Sequence, residues 1–237
     1  LGVQPDELAS IYQELAVCDY VADDIVIATH FACADDLDSD FTTEQMQRLE
    51  MGLSGQQGFK NLIENCSYSF ANSAGLLGWP KARAHWNRPG IMLYGSSPFS
   101  VSHPEADQLR PVMTFKSAVI ALRDIPPGET VGYAATWKAE RNSRIATVAF
   151  GYGDGYPRHA EVGTPVLINE LHVPLVGRVS MDSITVDASQ CHNLKVGDEV
   201  VLWGKGLPIE QVANMSRTIS YDLMCGITER VTRTYEM

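Results

Sequence analysis

The sequence lacks the features of several large protein classes. None of its apolar runs approaches the roughly 18–20 residues that a membrane-spanning helix needs. Basic residues are too few for a nucleic-acid-binding surface, since 18 Lys and Arg face 29 Asp and Glu, a formal net charge of −11. Internal repeats and low-complexity tracts are absent as well. With 237 residues, 45% of them hydrophobic and 20% charged, the chain is typical of a globular protein with one or two domains.

Paired cysteines and clustered metal ligands are also missing from the sequence. An odd number of dispersed cysteines without a C-x-x-C pair is typical of reduced thiols, which predicts a cytoplasmic protein. A zinc site needs clustered ligands, so we expect no metal. None of the thiols has the basic or helix-start context that lowers a thiol pKa, so we expect no catalytic cysteine. The five cysteines are Cys18, Cys33, Cys66, Cys191 and Cys225.

Residues 1–105 alternate between helix and strand patterns. One β-branched run at 25–29 ends at His30, and a second short strand at 68–71 ends at Asn72 and Ser73, with a helical pattern between them. This predicts parallel βα units, in which polar residues just past the strand ends hold ligands. A closed (β/α)8 barrel takes about 250 residues, whereas three units alone leave strand edges unpaired. We therefore expect an incomplete barrel remnant, either open or completed by another segment.

Residues 106–237 have a different pattern. A linker rich in Ser, Pro, His and Asp is followed by short apolar strands at close spacing, divided by turn signals. This predicts a mainly antiparallel β domain that ends in two short helices near 209–215 and 220–228, so the fold class is α/β plus β. The strands are predicted at 112–122, 144–150, 164–169, 172–176, 183–186 and 199–203.

Two groups of residues suit a binding site, although each also has an ordinary explanation. Asn72-Ser73 and the residues after Arg88 offer a hydroxyl and backbone N–H groups for a small anion. Tyr133 and the tyrosines of 151–158 lie among glycines, which let a ligand approach, and a tyrosine can act as general acid or base. Taken alone, the first group also fits turns and loops, His30 fits a core histidine, and the tyrosines fit packing on β-turns.

Together and in this order, however, seven segments resemble one family. It is alanine racemase, the pyridoxal-phosphate (PLP) enzyme that interconverts L- and D-alanine. The segments span nearly the whole chain and are specific only jointly. They are ATHFA (28–32), ANSA (71–74), NRPGIMLYG (87–95), VGY (131–133), GYGDGYPR (151–158), GRVSMD (177–182) and TISY (218–221).

The resemblance implies an eight-stranded α/β barrel followed by a β domain, paired head-to-tail in a homodimer, with pyridoxal 5'-phosphate as cofactor. Racemisation needs one base on each face of Cα, and the family uses a tyrosine and the PLP-binding lysine, while PLP delocalises the charge left on Cα. Tyr133 would be the tyrosine base, delivered to the partner subunit's barrel. Met181 and Asp182 would lie close to the substrate, with Tyr152 and Arg158 along the entry corridor. The cofactor residues implied are His30 at the pyridine ring, Arg88 at its nitrogen, and Ser73, Tyr221, Gly90 and Ile91 at the phosphate, with Asn72 beside them.

The family's PLP lysine lies near the start of the barrel, in a segment without a counterpart in this sequence. None of the six lysines stands in a similar motif, and the arginine that tunes the catalytic tyrosine would directly precede the stretch matching Leu1-Gly2. We therefore expect the C-terminal portion of a cytoplasmic alanine racemase that supplies D-alanine for peptidoglycan, inactive by itself. The alternatives are a non-catalytic PLP- or phosphate-binding module and a dimerising β module. The lysines are Lys60, Lys81, Lys116, Lys138, Lys195 and Lys205.

One smaller departure from the family pattern follows the tyrosine. Ala134 and Ala135 stand where family members usually carry glycine. We expect the substitution to be tolerated, because alanine costs little unless the backbone φ is positive.

Overall fold

The computed structural model describes residues 2–54 and 66–235, so that Lys60 lies outside the described residues. It divides into two compact units. The first comprises residues 1–93 and 97–109, and the second comprises residues 94–96 and 110–237.

The first unit contains two short parallel strands with helices between and beside them. The strands pair in register from Val26 opposite Ser67 to Ala28 opposite Ser69, so their carboxyl ends lie at one edge. A parallel pair needs a crossover, and the connecting residues include a helix, as the alternating pattern predicts. The elements are α1 (Leu8–Ala16), β1 (Val26–Ala28), α2 (Phe41–Ser54), β2 (Ser67–Ser69) and α3 (Ser73–Gly78).

Apolar residues fix the chain where it leaves both strands. Phe31, directly after His30, and Ala71, directly before Asn72, are buried in one small cluster with Ala74 and Phe99. Because an apolar anchor stands next to each polar candidate, the polar residues are held at the strand ends by packing.

The second unit is built on a six-stranded antiparallel sheet with the strand order β8-β7-β10-β3-β6-β9. Its two edges meet, because Leu175, just after β8, forms an antiparallel bridge with Val186 in β9. A two-stranded hairpin of β4 and β5 stands apart from this sheet. The elements are β3 (Phe115–Ile125), β4 (Thr130–Val131), β5 (Trp137–Lys138), β6 (Ser143–Val148), β7 (Pro165–Ile168), β8 (Leu171–Pro174), β9 (Ile184–Asp187), β10 (Glu199–Trp203), α4 (Ile209–Met215) and α5 (Ser220–Cys225).

Four aromatic side chains pack together in the core beside this sheet. The ring centroid of Phe115 lies 4.2 Å from that of Trp203 and 4.5 Å from that of Phe150, and the ring of Tyr156 stacks on Trp203 at 6.1 Å. Burial raises the pKa of Tyr156. Each such ring contributes roughly 1.5–3 kcal/mol by leaving water. Because Tyr156 belongs to GYGDGYPR, this loop is fixed to the core at one end.

The antiparallel architecture of the second unit confirms that part of the predicted fold class. The strand β3 nevertheless runs further than the apolar pattern indicates, through Arg123 and Asp124 to Ile125. Its polar end is paired with β6, where Asp124 stands opposite Arg144 and forms an ion pair at 3.2 Å. Among the helices of the described residues, none has the length and apolar character required to cross a bilayer.

Candidate active site

In the first unit, a single arginine connects the carboxyl ends of β1 and β2. Nη1 of Arg88 donates to the carbonyl oxygen of Ser69 at 2.7 Å and to its Oγ at 2.6 Å, and Nη2 donates to the carbonyl oxygen of Thr29 at 2.7 Å. Both strand ends are thereby fixed to one planar cation. His30, an exposed residue, follows Thr29 directly and so lies at the same edge.

The backbone around His30 is held by Gln45 of α2, which the sequence analysis missed. Its Nε2 donates to the carbonyl oxygen of His30 at 3.2 Å, and its Oε1 accepts from the N–H of Ala32 at 2.9 Å. Nothing in the local sequence marks this glutamine, because the contact depends on how the helix packs on the loop.

A hydroxyl and two backbone amides come together beside α3. Oγ of Ser73 accepts from the N–H of Gly90 at 2.9 Å and from that of Met92 at 3.3 Å. The side chain of Asn72 caps α3 by accepting from the N–H of Gly75 at 2.8 Å. A Cβ on Gly90 would meet nothing within 4 Å, so these groups border open space. Ile91 is buried and anchors the loop. Such clusters of amide and hydroxyl groups bind phosphate.

Tyr133 lies at the turn of the hairpin formed by β4 and β5, with 66% of its surface exposed. The hairpin packs closely on the GRVSMD segment. A Cβ on Gly132, which has a φ of 80°, would lie 2.9 Å from the amide nitrogen of Arg178 and 3.2 Å from Cα of Gly177. Glycine at position 132 therefore allows the tyrosine loop to rest on this segment.

The two alanines after Tyr133 adopt left-handed backbone conformations. The φ angles are 61° at Ala134 and 48° at Ala135. This conformation costs an L-residue other than glycine roughly 1–2 kcal/mol. The reason given for expecting these alanines to be tolerated was that alanine costs little unless φ is positive. Because φ is positive at both positions, that reason does not hold here.

We predict that Ala134→Gly and Ala135→Gly each raise the free energy of unfolding, by about 0.5–1 kcal/mol, since glycine relieves the left-handed strain but adds freedom to the unfolded chain. Urea denaturation of the single variants measures the change. Ala121→Gly, in the strand β3, is the matched control and is expected to lower stability by about the same amount. If the free energy of unfolding fell equally at all three positions, Ala134 and Ala135 would not be strained.

The GYGDGYPR loop contacts Met181 and its neighbours directly. The N–H of Tyr152 donates to the carbonyl oxygen of Ser180 at 3.0 Å, and that of Gly153 donates to the carbonyl oxygen of Met181 at 2.8 Å. The guanidinium of Arg158 lies 5.7 Å from the centroid of the Tyr152 ring, within range of a cation–π contact. Backbone hydrogen bonds therefore hold Tyr152 next to residues 180–181, and the side chains of Tyr152, Arg158 and Met181 are all exposed.

The glycines of this loop leave room for neighbouring backbone. A Cβ on Gly151 would lie 2.3 Å from the carbonyl oxygen of Ser180, and one on Gly155 would lie 2.3 Å from that of Gly226. Only glycine fits such approaches. The loop is thus held between two other segments of the second unit.

Two further features of the second unit concern charged and helical residues. Asp182 accepts a hydrogen bond from Nη2 of Arg230 at 2.7 Å, and this bond together with the charge of Asp154 raises the pKa of Arg230. Tyr221 is exposed on α5, whose first turn is stabilised by a hydrogen bond from Oγ1 of Thr218 to Asp222 at 2.8 Å.

Within residues 2–54 and 66–235, there is no group of three or more His, Cys, Asp or Glu side chains suited to a metal ion.

The predicted site residues therefore fall into two sets. His30, Asn72, Ser73, Arg88, Gly90 and Ile91 gather in the first unit. Tyr133, Tyr152, Arg158, Met181, Asp182 and Tyr221 belong to the second.

Two family models match the chain, and between them they cover most of it. The alanine racemase N-terminal domain matches residues 1–98, and the alanine racemase C-terminal domain matches residues 112–235. The chain belongs to the alanine racemase family. The resemblance stated from the seven segments is thereby confirmed, as is the fold of an N-terminal barrel domain with a C-terminal β domain.

Curated relatives and solved structures agree with this membership. The chain is 47% identical to the alanine racemase of Photobacterium profundum over 239 residues, covering 99% of this chain and 64% of the relative. It is 46% identical to that of Vibrio parahaemolyticus, covering 99% and 63%. The structure of the biosynthetic alanine racemase from Pseudomonas aeruginosa superposes with a TM-score of 0.91 at 42% identity, covering 100% of this chain and 64% of that one.

A further solved structure includes a cofactor. The alanine racemase from Bartonella henselae, with covalently bound pyridoxal phosphate, superposes with a TM-score of 0.84 at 30% identity, covering 100% of this chain and 63% of that one. The chain thus spans just under two thirds of the length of each of these relatives.

Proposed function

We propose that this chain supplies most of the cofactor site and one catalytic base of a PLP-dependent alanine racemase, which interconverts L-alanine and D-alanine. In this proposal, residues 1–105 are the C-terminal part of the barrel domain and residues 106–237 are the β domain. The observation that carries it is the cluster of Ser73, Gly90 and Met92 beside open space, next to an arginine that joins two parallel strand ends.

The residues of the first unit fit PLP. Ser73 and the backbone of Gly90 and Ile91 would hold its phosphate, with Asn72 beside them, because hydroxyl and N–H groups next to open space suit a small anion. The family resemblance also assigns Tyr221, which belongs to the second unit, to the cofactor phosphate. His30 would pack against the pyridine ring. When bound, PLP supplies the delocalisation that makes the Cα proton of an amino acid removable.

Arg88 gives the site a fixed positive charge. Its guanidinium is held by three hydrogen bonds to the strand ends, and arginine does not lose its proton in proteins. Placed at the pyridine nitrogen, it would disfavour a proton there and so limit how far charge is withdrawn from Cα. This restraint would favour return of the proton to Cα over side reactions.

Tyr133 would remove or return the Cα proton on one face. Its phenol is largely exposed on a hairpin, which leaves it available to the site of a second copy of this chain in a homodimer. The opposite face needs a second base, which in this family is the PLP lysine. Met181 and Asp182 would border the small amino acid, and Tyr152 and Arg158 would line its path.

The proposed setting is the bacterial cytoplasm, where the enzyme supplies D-alanine for peptidoglycan. Family membership supports this role. All five cysteines, each of which lies in the described residues, are free thiols, as a reducing compartment requires.

A chimera tests the proposal directly. The N-terminal segment that carries the PLP lysine, taken from a relative such as the Photobacterium profundum alanine racemase, is joined to the start of this chain. We expect this chimera to racemise L-alanine when PLP is present, and the chain alone to show no turnover. A correctly folded chimera without racemisation would contradict the proposal, as would turnover by the chain alone.

A further inference from the structure

The segment 226–231 of the second unit lies against the GYGDGYPR loop. The N–H of Thr228 donates to the carbonyl oxygen of Asp154 at 3.2 Å, and its Oγ1 donates to that of Gly153 at 2.9 Å. Backbone atoms of Gly226 and Ile227 fill the space beside Gly155. This segment therefore forms part of the wall that fixes the loop.

The side chain of Arg230 joins this loop to Asp182. Its Nε lies 3.3 Å from Oδ1 of Asp154, and its Nη2 lies 2.7 Å from Oδ1 of Asp182. The other oxygen of Asp154 accepts from the N–H of Gly151 at 3.0 Å. A continuous series of polar contacts thus runs from Gly151 through Asp154 and Arg230 to Asp182.

The two carboxylates differ in their surroundings. The side chain of Asp154 is 14% exposed, whereas that of Asp182 is 67% exposed. A mostly buried carboxylate depends on its partners, because burial without a counter-charge is costly. An exposed carboxylate contributes little to stability through an ion pair. The contact with Arg230 therefore orients the side chain of Asp182 and contributes little to the stability of the fold.

From these contacts we infer that Arg230 is a positioning residue for substrate binding, holding Asp182 and Met181 at a fixed distance from Tyr152. The inference rests on the proposed function, because it takes Met181 and Asp182 to border the amino acid. Arginine suits this role since its planar fork reaches two carboxylates through separate nitrogens, which the single nitrogen of lysine does not match.

Kinetics of the chimera separate this role from a structural one. We expect Arg230→Gln to raise KM for alanine about tenfold and to change kcat less than about threefold, because Tyr133 is untouched while the substrate contacts loosen. The KM of Arg230→Lys is expected to fall between that of the unsubstituted chimera and that of Arg230→Gln. Arg144→Gln, which removes the ion pair with Asp124 at 3.2 Å, is the matched control and leaves both constants unchanged. A lower melting temperature with an unchanged KM would overturn the inference.

A second variant displaces the guanidinium without removing it. A Cβ on Gly153 would lie 2.2 Å from Nη1 of Arg230 and 3.0 Å from the carbonyl oxygen of Met181. We expect Gly153→Ala to raise KM to a similar extent, and the double variant with Arg230→Gln to be no worse than either single change. Multiplying effects would show that the two residues act independently and would overturn the inference.

Amide hydrogen exchange on this chain distinguishes failure of the inference from failure of the proposed function. Arg230→Gln is expected to speed exchange at the amides of Tyr152 and Gly153 about tenfold, and Arg144→Gln to leave it unchanged. If the unsubstituted chimera is inactive, the proposed function fails, and exchange still decides whether Arg230 positions the loop. Unchanged exchange in Arg230→Gln would overturn the positioning role.

Discussion

Replacing Tyr133 by phenylalanine in the chimera is expected to reduce racemisation about 100- to 10,000-fold, the range that a positioned acid or base contributes. The change removes one oxygen and keeps the ring, so the hairpin of β4 and β5 retains its packing. Proton transfer on one face of Cα then has no donor or acceptor, while binding of the cofactor in the first unit is unaffected. The rate is measured from the optical rotation of alanine, and PLP binding from its absorption.

Tyr20→Phe is the control for this substitution, because Tyr20 is 98% exposed and belongs to neither set of site residues. It is expected to leave the rate unchanged. Activity of Tyr133→Phe within threefold of the unsubstituted chimera, with PLP bound, would show that Tyr133 is not a base.

Substituting Gly155 is expected to lower the free energy of unfolding strongly. Gly155→Ala places a Cβ 2.3 Å from the carbonyl oxygen of Gly226 and 2.7 Å from Cα of Ile227, at a φ of 108°. The three nearest atoms all belong to the backbone of Gly226 and Ile227, so the contact cannot be relieved by moving a flexible side chain. The left-handed conformation costs roughly 1–2 kcal/mol and the overpacking roughly 1–3 kcal/mol, so we expect a loss of about 3 kcal/mol.

Gly197→Ala separates these two contributions. Its φ is 98°, close to that of Gly155, but nothing lies within 4 Å of the Cβ position. We therefore expect a loss of about 1 kcal/mol, from the backbone alone. Urea denaturation of both variants measures the difference. Equal losses would mean that segment 226–231 does not hold the loop in the way the contacts indicate.

The strand-end part of the candidate site was predictable from the sequence. His30 and Ser73 follow strand patterns, and parallel strands bring their carboxyl ends to one edge. The acceptors of Arg88 were not predictable, because they lie 19 and 59 residues away and are unremarkable backbone groups and a serine. A sequence pattern shows which residues end a strand. It does not show which cationic side chain will bond to them, because that depends on how the chain folds.

In the second unit, too, the secondary structure was predictable from the sequence and the long-range contacts were not. Its strands follow from alternation and turn signals, and β10 and α4 have the predicted bounds. The contact between Arg230 and Asp182 was not predictable, since it spans 48 residues. The conformation of Ala134 and Ala135 was missed because alanine ordinarily avoids a positive φ, so that only the path of the loop between β4 and β5 imposes it.

Proton exchange at Cα tests most directly whether Tyr133 serves one face of the substrate. The chimera and its Tyr133→Phe variant are incubated in D2O, separately with L-alanine and D-alanine, and loss of the Cα proton is followed by NMR. For the variant, we expect exchange of one enantiomer without racemisation, because the base on the other face remains. Loss of exchange for both enantiomers, or exchange of both at the unsubstituted rate, would contradict it.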